Sequence, residues 1–187
     1  MNKPNPQHSS ATAEWYTPAD VIARVRNTLG TIHIDPCSSL LANKAIKANA
    51  FFSAEENGLD YFWAGNAYIN PPSSCDGAVC ERRCTCKLPF RFMEQMFEQF
   101  YEGNLDNAIY LGFNIGQLKY LSKCYYNPDD VRFVIPHRRI RFVRPDGTPG
   151  KSPTQENFIM LLTNDLLIRT RFDEEFSEYG TMFGALS

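Results

Sequence analysis

The sequence has no long apolar run. Its longest clearly apolar stretch, Phe158 to Leu162, is far short of the roughly 20 residues that a membrane-spanning helix needs. It has no marked excess of either charge, because 19 Lys and Arg against 21 Asp and Glu leave a net charge of -2, which argues against a non-specific binder of polyanions. The first residues, Met1 to Ser10, are polar and lack the apolar centre of a signal peptide. No internal repeat is evident. What is present is ordinary globular usage, 43% hydrophobic, 13% aromatic and 21% charged, which excludes disorder, collagen and coiled coil for the chain as a whole. A length of 187 residues predicts a single compact domain with enough chain to bury a core without disulfides. The expectation is a soluble cytoplasmic protein with no membrane association.

Residues 1–13 are rich in Pro, Asn, Ser and Thr without an apolar period, so they read as a disordered leader before one domain over 14–187. Thr17 or Pro18 starts a helix, Thr as a cap or Pro at the first position, with Val21, Ile22, Val25 and Leu29 at helical spacing and Gly30 as the stop. A β-branched run, Thr31 to Asp35, and a second run, Ala67 to Asn70, read as strands. Helical spacing returns from Pro89 to near Gly103 through Phe90, Met93, Met96, Phe97 and Phe100. Further strands are expected at 107–112, 131–135, 140–143 and 157–162. Asp173, Glu174, Glu175 and Glu178 read as an acidic tail. Strands alternating with helices predict an α/β sheet with some antiparallel members late in the chain.

The most informative constellation is Asn70-Pro71-Pro72, directly after a strand. In open α/β sheets, ligand sites lie just beyond the carboxyl ends of strands. An Asn side-chain oxygen and a Pro carbonyl can both accept from one exocyclic NH2 group, leaving the nitrogen lone pair aimed at an electrophilic methyl. A plain Asn-Pro turn is the alternative reading of the tripeptide alone. Asp35 also ends a strand and precedes the small residues Pro36-Cys37-Ser38-Ser39, which leave room for a ligand and offer backbone N–H groups. A carboxylate there can accept from a cationic amine or a ribose hydroxyl.

Together, Glu14-Trp15-Tyr16-Thr17-Pro18, Asp35 with its small-residue turn, Phe51-Phe52-Ser53, Asn57-Gly58-Leu59 with Trp63, Asn70-Pro71-Pro72, Arg139-Ile140-Arg141-Phe142, Gly147 and Ser152-Pro153 resemble the phage-type DNA adenine N6-methyltransferases (Dam-like). The resemblance implies a compact Rossmann-like fold that binds S-adenosylmethionine. It places Trp15, Tyr16, Thr17, Pro18, Asp35, Cys37, Ser38 and Asp60 at the cofactor, and Asn70, Pro71, Pro72 and Ser73 at the target amine. The substrate is then double-stranded DNA, with the adenine flipped out of the stack.

The family usually carries Tyr or Phe after the proline pair, where a ring stacks on the flipped base; here Ser73 stands there. Phe90 or Phe92 could substitute, although core packing of the following helix is the favoured reading of both. Behind that loop, within the insertion 73–88, Cys75, Cys80, Cys84 and Cys86 form a dense thiol cluster. In a reducing compartment such a cluster suits tetrahedral zinc better than two disulfides, with an iron–sulfur cluster or free thiols as alternatives. Zinc there would be structural. Cys37 and Cys124 stand apart as unpaired small residues. Arg82 and Arg83 beside the cluster, and Arg139 and Arg141 on one face of the 140–143 run, are the DNA-binding candidates. Transfer to another planar amine (cytosine N4 or a glutamine amide) and a non-catalytic zinc-stabilised nucleic-acid binder are the competing readings.

Overall fold

The computed structural model describes residues 15–73, 87–124, 126–150 and 155–184. Helix α1 (Ala19–Leu29) buries Val21, Ile22, Val25 and Leu29, as their spacing requires, and ends at Gly30 with φ 71°. Strand β1 (Ile34–Asp35) is followed by α2 (Leu40–Ile46), whose first turn is capped by Ser39 Oγ accepting from the Ala42 N–H. Next come β2 (Ala50–Phe51) and β3 (Gly65–Ile69). Helix α3 (Leu88–Tyr101) leads into β4 (Leu105–Gly112). A 3-10 stretch (Ile115–Lys123) separates β4 from β5 (Val131–Pro136). The described chain closes with β6 (Phe158–Thr163), α4 (Leu166–Phe176) and β7 (Gly180–Gly184).

These strands form one seven-stranded mixed sheet in the order β2-β1-β3-β4-β6-β5-β7. The four strands β2, β1, β3 and β4 are mutually parallel, β6 runs against β4 and β5, and β7 runs against β5. The late antiparallel members are therefore β6 and β7. The core is split by the sheet. On one face α1 and α4 pack over Tyr68, Ile109, Leu111, Ile159 and Leu161; on the other α3 packs over Ala67, Ile69, Tyr110, Phe158 and Met160. Strand β6 is buried along its whole length because apolar side chains of alternate parity meet helices on both faces.

Two sequence expectations are corrected. The 140–143 run is not a strand: Ile140 N–H donates to Asn157 Oδ1, and Val143 forms isolated antiparallel bridges to Tyr16 and Pro149. Strand β5, which this segment follows, already pairs on both sides with β6 and β7. Its burial still alternates, Ile140 and Phe142 inward and Arg139 and Arg141 outward. The acidic residues read as a tail belong to α4 and the turn after it. Asp173 forms a bidentate pair with the buried Arg132, Nε to Oδ1 at 2.8 Å and Nη2 to Oδ2 at 2.9 Å, and Asn27 Nδ2 donates to Glu175 Oε1 at 3.0 Å. No helix among the described residues is long and apolar enough to cross a membrane.

Candidate active site

The chain passes from β1 outward to β2, then returns to β3 and proceeds outward on the other side to β4. The order reverses between β1 and β3, and this switch point is where open α/β sheets leave a crevice beyond the strand ends. Asp35 is the last residue of β1 and Asn70 follows the last residue of β3. Asp35 and Asn70 therefore flank one crevice.

Asp35 is only 1% exposed. Burial raises its carboxyl pKa from 3.8 to about 7, while the nearby Ser38 hydroxyl and the Cys37 N–H act in the opposite direction. The Cys37 N–H donates to Asp35 Oδ1 at 3.2 Å, and the Ser38 N–H donates to the Phe52 carbonyl at 2.8 Å. Two backbone donors expected to face a ligand are thus used inside the protein. Ser38 Oγ is buried with no partner of good hydrogen-bond geometry. The Cys37 thiol pKa is pushed well up, first by burial and then by the Asp35 charge, with the Asn70 backbone opposing. Cys37 therefore lies between the two strand ends. Cys37 and Cys124 are both free thiols.

At the end of β3, Asn70 Nδ2 donates to Thr17 Oγ1 at 3.2 Å, and Thr17 Oγ1 shares a hydrogen bond with Tyr68 Oη at 2.6 Å. No described residue donates to Asn70 Oδ1. Pro71 is buried, while Pro72 and Ser73 are exposed. Thr17 and Pro18 lie in a strap held by paired backbone hydrogen bonds between Tyr16 and Val143, 2.8 and 2.9 Å long. Tyr16 Oη lies 3.3 Å from Ser39 Oγ, and the Arg144 guanidinium sits over the Trp15 ring. The strap thus brings Thr17 to Asn70 and Tyr16 to Ser39.

Asp60 is exposed in the 3-10 turn Gly58–Asp60 and accepts from Asn57 Nδ2 at 2.8 Å. The turn presses against the residues after Asp35: a Cβ on Gly58 would lie 1.9 Å from the Pro36 carbonyl oxygen, so only glycine fits.

Strand β5 points the same way as β4, so the segment after Pro136 emerges at the Asn70 edge of the sheet. Arg139 pairs with Glu156, Nη2 to Oε1 at 2.6 Å. Arg138 and Arg141 are exposed, with no ion pair among the described residues. Arg82, Arg83, Cys75, Cys80, Cys84 and Cys86 lie outside the described residues, and no group of metal-ligating side chains occurs among those described.

Phe90 and Phe92 do not reach the crevice. They are 5% and 4% exposed in the α3 core, where Phe90 packs on Tyr120 and Phe92 on Trp63. Phe113, just past β4, was missed by sequence reasoning. It is half-buried and packs with the Tyr68 and Leu111 side of the sheet, the face to which Asn70 turns, with Phe142 beside it. Its signal was available only from the β3–β4 register, which pairs Ile69 with Tyr110 and so sets Phe113 two residues beyond the partner of Asn70. A polar cleft of about 540 Å³ lies at the opposite ends of β3 and β4, lined by Asn66, Asn107 and Asp165 among others, and includes neither Asp35 nor Asn70.

A mixed α/β sheet with an acid and an Asn-Pro-Pro loop on either side of its switch point is an open α/β fold with a ligand-binding crevice at its strand ends. The chain matches the family model for DNA N-6-adenine-methyltransferase (Dam) over residues 6–176, and it belongs to that family. It is accordingly a DNA adenine N6-methyltransferase, and membership implies S-adenosylmethionine as methyl donor and DNA as substrate. No curated protein and no solved structure matches it.

Proposed function

We propose that the crevice between β1 and β3 is the transfer centre, with Asp35 on the cofactor side and Asn70 and Pro71 on the acceptor side, acting on adenines flipped out of double-stranded DNA. The observation that carries this reading is the placement of Asp35 and Asn70 at adjacent parallel strand ends across the switch point. The strand order, four parallel strands followed by a reversed one, supports the Rossmann-like description. Residues 14–187 are read as one domain with 73–88 as an insertion.

The residues present fit the cofactor. The buried Asp35 carboxylate and the buried Ser38 hydroxyl beside it offer acceptors for a cationic amine and sugar hydroxyls, with Trp15, Tyr16 and Pro18 of the strap and Cys37 as the walls of the same space. Asp60 is placed on its rim. S-adenosylmethionine supplies an electrophilic methyl on a sulfonium. Asn70 Oδ1 and the Pro71 carbonyl accept the two amino hydrogens of the adenine, which localises the nitrogen lone pair for in-line attack. Pro72 stiffens the loop, and Ser73 leaves space after it. Phe113 takes the place of the missing ring as the wall on which the base stacks.

The DNA surface is assigned to the basic segment at the same edge, with Arg138 and Arg141 free to meet phosphate, Arg139 joining on release from Glu156, and Arg82 and Arg83 added from the insertion. Zinc held by Cys75, Cys80, Cys84 and Cys86 is proposed on the sequence alone, as a structural ion. Metal analysis of the purified protein and of a Cys80→Ser variant tests it.

The test of the whole reading is calorimetric titration with S-adenosylmethionine, followed by mass spectrometry of digested DNA. Wild-type binding that Asp35→Ala weakens, with N6-methyladenine as product, supports it. Absence of binding, or methylation only of cytosine, overturns the assignment of the crevice.

A further inference from the structure

A threonine just before a helix ordinarily turns its hydroxyl to the free N–H groups of the first turn. Thr17 does not: α1 has Pro18 at its N-cap position with no side-chain cap, and the Ile22 N–H bonds to the Pro18 carbonyl. The hydroxyl instead faces the crevice and is 7% exposed as a residue, bonded to Asn70 Nδ2 and to Tyr68 Oη. An α-helix start has thus given up a cap, and among the described residues the hydroxyl's partners are a fully buried tyrosine and the proposed acceptor-binding amide.

An asparagine amide is nearly symmetric in shape but opposite in polarity at its two ends. With Nδ2 outward, a donor would meet the donor NH2 of the target base, and transfer would lose one of its two acceptors. What distinguishes the two flips is the partner on the inner side. We propose that Thr17 is a positioning residue for Asn70: its oxygen accepts from Nδ2, and so turns Oδ1 toward the acceptor amine, with Tyr68 holding the threonine hydroxyl in place. This rests on the proposed role of Asn70 and departs from the family resemblance, which puts Thr17 at the cofactor.

The experiment compares wild type, Thr17→Val, Thr17→Ser and Asn70→Ala in methyl transfer from labelled S-adenosylmethionine to adenine-unmethylated DNA, with cofactor affinity measured for each. Valine nearly matches the shape of threonine but cannot accept. Thr17→Val is expected to lower kcat at saturating cofactor by about 100-fold while leaving the cofactor Kd within about twofold, with Thr17→Ser recovering most of the rate. A Thr17→Val enzyme with wild-type kcat overturns the proposal, as does a loss confined to cofactor affinity. Asn70→Ala separates the two levels: if it is fully active, the reading of the acceptor site fails; if it is inactive while Thr17→Val is normal, only the positioning role fails. A Thr17→Ser variant as impaired as Thr17→Val, with an unchanged thermal midpoint in both, also counts against it.

Discussion

Asn70 and Thr17 are joined by a 3.2 Å hydrogen bond from Nδ2 to Oγ1 across 53 residues of chain. It ties the loop after β3 to the strap that enters α1, so the proposed acceptor side of the crevice is assembled from two distant segments. Asn70→Ala should leave S-adenosylmethionine affinity unchanged and lower methyl transfer by about 100-fold or more, because only the reacting amine loses its acceptor. Label incorporation into DNA beside a binding isotherm checks both halves.

Asp35 gives the free protein a defined pH response. Its carboxyl titrates at about 7 in the fold instead of 3.8, so between those values the native state holds a proton that the unfolded chain has released. Stability is therefore full below about pH 4 and falls as pH rises toward 7, by about 4 kcal/mol for this one group. Chemical denaturation of the cofactor-free protein at pH 5 and pH 8 should show the larger part of that fall, about 2.7 kcal/mol. Asp35→Asn should flatten most of it.

Arg132 is 5% exposed and bonded through two nitrogens to Asp173. Asp173→Ala removes the carboxylate that the buried Arg132 guanidinium meets through two nitrogens, and a loss of about 3 kcal/mol is expected. A thermal melt measures it. Substituting the neighbouring exposed Glu174 is expected to change stability by less than about 0.5 kcal/mol.

Arg138 and Arg141 are the exposed cations of the basic segment without an ion pair among the described residues. Alanine at either should weaken DNA binding at all sequences alike and reduce the salt dependence, as log K against log salt, by about one unit each. Arg139→Ala should do less, since its guanidinium already pairs with Glu156. Titrations at several salt concentrations distinguish the three.

Much of this site was legible in the sequence because it lies at strand ends marked by proline. A β-branched run stopped by Asp35-Pro36, and another stopped by Asn70-Pro71-Pro72, announce both the strand and its end. Helices α1 and α3 were equally legible, since their apolar residues recur at the helical period over three turns or more. Helix α4 was not: Asp173, Glu174 and Glu175 crowd its last turn, and the pattern of Ile168, Phe172 and Phe176 is sparse enough to be lost among charges. The short strands β1 and β2, with two residues each, carry too little pattern to bound from sequence.

The sequence by itself determined which chemistry is present: an acid and an amide with prolines, each after a strand, and a basic run far along the chain. Only the tertiary structure decided which groups meet. Thr17 reads locally as a helix cap and becomes a partner of Asn70 because the strap is pinned to Val143. Phe90 and Phe92 read as available rings and are consumed by the core, because α3 must cover the sheet. Phe113 has no local signal, yet parallel pairing of β3 with β4 sets it just beyond the strand ends on the face to which Asn70 turns. Register and packing act between residues far apart in the chain, and local pattern holds no information about either.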